Sequence, residues 1–283
     1  MKFKVFSELE YQVRMSSTFI FNIQLARTSS QAVIEESIII DPYYQMEEFT
    51  SQDGRTRFIR LQVKDPVTFK ISYTAVVDSH YKIINEEHDL ENIPVVKLDA
   101  DIIPYIFPSR YCQSDKLQRL ANKEFGEIEN IYSKVLAINE WIYNNVAYLS
   151  GSTNSGTSAL DTIYERAGVC RDFAHLGIAL CRALSIPARY FTGYAYKLNP
   201  PDFHACFEAY IGSDWILFDP TKLVPINGLV KIANGRDAAD ASVASIFGNT
   251  ICTLINVKCE SLDEGFQAYD YEANKNKEGL SYQ

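Results

Sequence analysis

Between Val67 and Val77 the apolar positions fall on every second residue: Val67, Phe69, Ile71, Tyr73, Ala75 and Val77 alternate with Thr68, Lys70, Ser72 and Thr74. Successive side chains of a strand point to opposite faces, so this pattern specifies a half-buried strand and fits no helix. Similar short runs surround it. Val33 to Ile40 is rich in β-branched residues and ends at Asp41-Pro42, and Lys64-Asp65-Pro66 marks a turn ahead of Val67. The N-terminal part therefore reads as a small antiparallel sandwich or barrel.

The period then changes. Residues 79–110 hold Pro94, Pro104, Pro108 and a cluster of acids, a composition typical of a connector, and a boundary is placed at residue 104. Beyond it, Ser114 is expected to cap a helix running through Leu117, Leu120 and Ala121, and Ile131, Val135, Ile138 and Ile142 define a longer helix. Phe173, Leu176, Leu180 and Leu184 define another from Cys170 to Leu184, ended by Ser185-Ile186-Pro187. Strands are expected at 188–196, 204–211 and 215–219. The class is α+β, with residues 1–104 a β-rich domain with its connector, 105–263 a core of helices and antiparallel sheet, and 264–283 a polar tail.

Composition narrows the function. A chain of 283 residues, 47% of them hydrophobic, can bury a sizeable core. The 27 basic and 36 acidic residues leave a net charge of -9. No Lys/Arg run supplies the basic face that phosphate binding needs, so nucleic acid is not an expected partner. Charge recurs within Met1 to Glu8 without a long apolar stretch, so the expectation is a cytoplasmic protein with no membrane partner. Cys112, Cys170, Cys181, Cys206, Cys252 and Cys259 are scattered without CxxC pairs, which fits buried free thiols rather than a disulfide scaffold.

Three residues carry the candidate chemistry. A thiol attacks a carbonyl as thiolate and needs a base, and the base needs a partner that fixes its tautomer. Cys170 opens an apolar helix in the run Gly168-Val169-Cys170-Arg171-Asp172-Phe173-Ala174, and His204 and Asp219 follow on successive strands. The unpaired N–H groups and dipole of a helix N-terminus favour a thiolate, and the Cys170 backbone N–H can serve an oxyanion. Taken singly, a core cysteine, a loop histidine and a turn aspartate before Pro220 are ordinary residues. Their combination is what points to nucleophilic catalysis.

His204, Cys206, Glu208 and Tyr210 share one strand face, and Gly212-Ser213-Asp214 turns the chain into the next strand. A three-residue loop without a bulge opposes Asp219 to Phe207, on the wrong face. An even loop or a bulge opposes it to Cys206, beside His204. The triad needs the second register. A metal centre is the competing chemistry, but Cys170, His175 and His204 lack the paired short spacings of zinc ligands and Asp219 is a hard ligand. No metal or cofactor is expected, and His175 is expected to pack in the core.

These runs resemble the transglutaminase-like superfamily, in the bacterial form with a β-rich N-terminal region before a papain-like core. Gly168 to Ala174 is similar to its nucleophile motif, His204-Ala205-Cys206-Phe207-Glu208 to its histidine motif, and Trp215-Ile216-Leu217-Phe218-Asp219-Pro220-Thr221 to its acid motif. The likeness takes in Pro108-Ser109-Arg110-Tyr111-Cys112 and Gly235-Arg236-Asp237-Ala238-Ala239-Asp240. One position departs, because Cys206 stands where the family usually places a tryptophan.

The resemblance implies acyl transfer on a peptide or protein substrate: Cys170 attacks an amide carbonyl, His204 protonates the departing amine, Asp219 orients His204, and water or an amine resolves the thioester. It further implies Tyr148 as the second oxyanion donor and Arg236 and Asp237 as structural ties; no calcium site is expected, because long acidic loops that would bind it are missing and Asp237 with Asp240 suits a helix cap. Hydrolysis by a cysteine protease or amidase is the expected outcome. A transglutaminase using an amine acceptor and a non-catalytic binding module are the alternatives, and oxidative blocking of Cys170 by Cys206 is a further possibility.

Overall fold

The computed structural model describes residues 1–52, 54–85, 90, 93–269 and 278–282. The N-terminal strands are β1 (Lys2–Val13), β2 (Ser17–Phe21), β3 (Gln31–Asp41), β4 (Met46–Thr50), β5 (Arg57–Val63), β6 (Val67–Ser79) and β7 (Lys82–Asn85). Helices α1 (Ser114–Phe125) and α2 (Ile131–Asn145) lead to β8 (Ala147–Tyr148), α3 (Ala159–Glu165), β9 (Ala167–Gly168) and α4 (Cys170–Ala183). The chain continues through β10 (Ala188–Ala195), β11 (Phe203–Ile211), β12 (Asp214–Phe218), β13 (Leu229–Gly235), α5 (Ala238–Ala241), β14 (Ala244–Phe247), β15 (Thr250–Ser261) and β16 (Glu278–Ser281).

The alternation that marks β6 is matched in β1. The two run antiparallel with Val5 opposite Ala75 and Leu9 opposite Ile71, and the odd-numbered residues of β1 and, from Phe69 on, of β6 are buried. Two four-stranded sheets result, in the orders β15-β1-β6-β3 and β14-β2-β5-β4. Their inner faces meet through aromatic rings, with centroid separations of 5.2 Å for Tyr11 and Phe19 and 4.9 Å for Phe19 and Phe69, spacings at which edge-to-face pairs are favourable. This is the expected sandwich, but β14 and β15 come from the far end of the chain. Residues 244–261, which the sequence places in the 105–263 core, pair with the N-terminal strands.

The exchange runs both ways. The core sheet has the order β13-β10-β11-β12-β16-β7, so the connector supplies β7 and the expected polar tail supplies β16. Leu280 and Tyr282 are buried there. Residues 270–277 and 283 of that tail lie outside the described residues. Ser114 is the first residue of α1, and Gln113 precedes it without a side-chain cap. Among the described residues no helix is long and apolar enough to cross a membrane.

Helix α4 lies against β11 on one side and α1, α2 and α3 on others, and every residue from Asp172 to Ala183 is buried. A helix covered all round is held in place by packing from several directions. The sandwich is tied to the core sheet by buried polar contacts: Tyr194 lies 2.9 Å from the Ser7 hydroxyl and donates to the Ile23 carbonyl at 2.8 Å, while the Gln31 side chain brackets the Lys231 backbone with two bonds of 2.8 Å. Beneath β11, Glu208 is fully buried and satisfied by Arg189, by Lys231 at 3.0 Å and by Asn234 at 2.9 Å. Burial opposes its charge, but Arg189 and Lys231 hold its carboxyl below the usual range, and burial brings Lys231 down to about 8.

Candidate active site

The turn between β11 and β12 decides the site. Phe207 opposes Phe218 and Ile211 opposes Asp214, so only Gly212 and Ser213 remain in the loop and Asp214 already belongs to the strand. Both loop residues have positive φ, 57° and 70°, the geometry of a primed two-residue hairpin turn. Continued by one step, this register sets Asp219 opposite Cys206, the even-loop alternative that the triad needs.

His204 Nε2 and Asp219 Oδ2 are 2.9 Å apart, and both side chains are buried. Asp219 is held from its other oxygen, which accepts from the Thr221 backbone at 2.9 Å and from its hydroxyl at 2.7 Å. Thr221 thus holds Asp219 in place, a part that the sequence reading did not give it; the Asp-Pro-Thr turn is its signal, since an aspartate commonly caps the backbone two residues on. Burial disfavours charge on His204, but Asp219 outweighs it, and Cys206 and Cys170 add to the effect, so the imidazole is raised well above its ordinary 6.5. Nδ1 is buried with no conventional hydrogen-bond partner in the protein.

Cys170 is the first residue of α4 and is half-buried. The Val169 amide donates to Asp172 Oδ2 at 3.0 Å, the acid-at-N3 half of a capping box. Asp172 Oδ1 pairs with Arg171 at 3.0 Å, and Arg171 reaches the Asn154 carbonyl at 2.8 Å. The Gly/Ser-rich loop at 150–156 is therefore pinned beside Cys170. Tyr148 arrives there because β8 pairs in parallel with β9, Tyr148 opposite Gly168. Burial and the neighbouring Cys170 side chain push its phenol up to about 12, against His204 and a hydrogen bond with the Cys170 backbone. It is a protonated O–H beside the helix N-terminus.

His175 is not part of this group. It is fully buried, stacks on Tyr111 with ring centroids 5.0 Å apart, and accepts from the Ala238 amide at 3.1 Å. Burial, with Arg171 and Arg182 nearby, keeps it well below 6.5 and neutral. Arg236 and Asp237 tie the loop before α5: Arg236 pairs with Asp240 at 2.8 Å, and Asp237 accepts from the Ala239 and Tyr111 amides, each at 2.9 Å. The cysteines are free thiols, Cys170 and Cys206 included.

A cleft of about 450 Å³ opens over Cys170 and His204. Leu9 and Tyr11 of β1, Ile246 of β14 and Ile255 of β15 also line it, so the sandwich furnishes part of the wall. The sequence reading missed these residues, which nothing in their local pattern connects to Cys170.

Two family models match separate stretches of the chain. The family model for the bacterial transglutaminase N-terminal domain matches residues 1–101, and that for the transglutaminase-like superfamily matches residues 118–220. A crystal structure from Cytophaga hutchinsonii, described as a "putative cysteine protease", is 66% identical, with 100% of this chain and 98% of that one covered and a TM-score of 0.97. An uncharacterized protein of Mycobacterium leprae is 29% identical over 182 residues, 61% of this chain and 64% of its own length. One of Mycobacterium tuberculosis is 35% identical over 137 residues, 42% of this chain and 43% of its own. The chain thus spans less than two thirds of the length of these mycobacterial relatives.

Proposed function

The chain belongs to the transglutaminase-like superfamily, and from that premise we propose that it is a cysteine enzyme that cleaves amides by acyl transfer through Cys170, His204 and Asp219. The observation that carries the reading is the buried 2.9 Å contact between His204 Nε2 and Asp219 Oδ2, with Cys170 at the adjoining helix N-terminus. The Cys170 thiolate adds to the amide carbonyl. The oxyanion takes the Cys170 N–H and the Tyr148 hydroxyl, donors aimed at charge that develops only in the transition state. His204 gives its proton to the departing nitrogen, the C–N bond breaks and a thioester remains. Water then adds to the thioester as His204 takes its proton, the C–S bond breaks, and the acid leaves with the Cys170 thiolate and protonated His204 restored.

Hydrolysis rather than transamidation is favoured by the high similarity to the Cytophaga hutchinsonii protein described as a "putative cysteine protease". The substrate is a peptide or protein, and Leu9, Ile246 and Ile255 in the cleft wall suit an apolar segment of it. The test is incubation with a peptide library, with and without added alkylamine, followed by intact-mass analysis of enzyme and products. A Cys170-linked acyl-enzyme and peptide acids support the proposal, and amine adducts in their place would make the protein a transamidase. Absence of any acyl-enzyme across the library would favour the binding-module reading.

A further inference from the structure

We infer that Cys206, His204 and Asp219 form an inhibitory site for a borderline-soft divalent cation of the zinc class. Cys206 has no part in the reaction proposed above, yet its sulfur, a His204 ring nitrogen and an Asp219 oxygen all lie within 4.8 Å of one another, and all three side chains are buried. A tetrahedral zinc with bonds of about 2.0 to 2.3 Å needs ligand atoms roughly 3.3 to 3.8 Å apart, so closing the trio on a cation takes side-chain shifts of about an ångström. The donor set is one sulfur, one nitrogen and one oxygen, a mixture that suits zinc better than magnesium or calcium.

Charge favours the same cation. One thiolate and one carboxylate neutralise a dication, so the loaded trio brings no net charge to the apolar cluster that Cys206 shares with Phe191, Leu217 and Leu229, whereas an isolated buried ion would be strongly disfavoured. The ring nitrogen that faces Asp219 is Nε2, and it is the one positioned to ligate. Metal–sulfur and metal–nitrogen bonds form as the S–H and Nε2–H bonds break, and the protons leave to solvent; no electrons are transferred. The imidazole that remains has its hydrogen on Nδ1 and can no longer accept a proton, and Asp219 is taken from its role as orienter. The cation and catalysis exclude each other without the metal touching Cys170.

Binding is therefore read in the Cys170→Ala protein, where failure of the site and failure of the acyl-transfer reading are separable. Cobalt(II) is titrated while the thiolate-to-cobalt absorption is followed, and zinc affinity is obtained by competition with a chromophoric chelator. One cation per chain with a thiolate band is expected. In Cys170→Ala/Cys206→Ser, and in the corresponding Cys206→Ala double variant, the band should vanish and zinc affinity should fall at least about tenfold, the low end of what loss of even an outer-sphere partner costs. Circular dichroism establishes that both variants are folded. Absence of a band in Cys170→Ala, or a band that survives removal of Cys206, would overturn the assignment.

Discussion

Gly177 of α4 sits directly against the ring of Phe207 in β11: a β-carbon added at Gly177 would lie 2.5 Å from Phe207 Cε1. That contact fixes how closely the helix that begins with Cys170 approaches the strand that carries His204. Gly177→Ala should push the two apart, destabilising the fold by about 1 to 3 kcal/mol as other overpacked cores are. It should also slow alkylation of Cys170. Urea unfolding and labelling rates measure the two effects separately, and unchanged labelling would mean that this contact does not set the site.

Thr221 holds the back of Asp219. Thr221→Val removes the 2.7 Å hydroxyl bond and keeps the side-chain shape. Loss of a hydrogen bond to a charged group is worth about 1.5 to 3 kcal/mol, so kcat/KM should fall by roughly ten- to a hundredfold. A variant with native turnover would show that the backbone bond alone suffices.

The Glu208 cluster should be structural. Replacing Glu208 with Gln leaves Arg189 and Lys231 buried without a counter-charge, and breaking a buried pair in this way costs about 3 to 5 kcal/mol. Thermal unfolding of Glu208→Gln is the measurement. A melting temperature equal to that of the parent would contradict the assignment.

Acid should weaken the sandwich through Glu36. Burial would raise its carboxyl, but Arg57, Tyr73 and Arg27 outweigh that and hold it at about 2, against 4.5 unperturbed. A depressed carboxyl contributes stability above its unfolded value and loses it as pH falls through the folded one, so the window runs from about pH 4.5 down to 2. Allowing for partial exposure, the contribution is on the order of 1 to 3 kcal/mol. The stability difference between parent and Glu36→Gln, followed by urea unfolding against pH, should shrink across that window. A constant difference would refute it.

Much of this architecture could be read from local pattern. The alternation from Val67 to Val77 gave a strand whose buried face is the sandwich interior, and the steps from Phe173 to Leu184 gave the buried helix behind Cys170. The parity of the hairpin could not be read with the same assurance, because Gly212-Ser213-Asp214 is compatible with loops of two or three residues; it is Ser213 adopting positive φ that closes the turn in two. The interleaving of the two units was also hidden. Periodicity marks a strand but not its partner, so β15 beside β1, and β16 between β12 and β7, emerge only when distant segments meet. Tyr282 looked like the end of a polar tail for the same reason. Local motifs located Cys170, His204 and Asp219, whereas the cleft wall from Leu9, Ile246 and Ile255 depends on long-range pairing.

The most direct test of the central claim is the rate of Cys170 alkylation against pH, read by mass spectrometry in the native protein and in His204→Ala. An imidazole raised by Asp219 and close to the thiol predicts rapid labelling below about pH 7 that slows markedly in the variant. Labelling that rises only near pH 8 to 9, with the same profile in both proteins, would contradict an activated nucleophile.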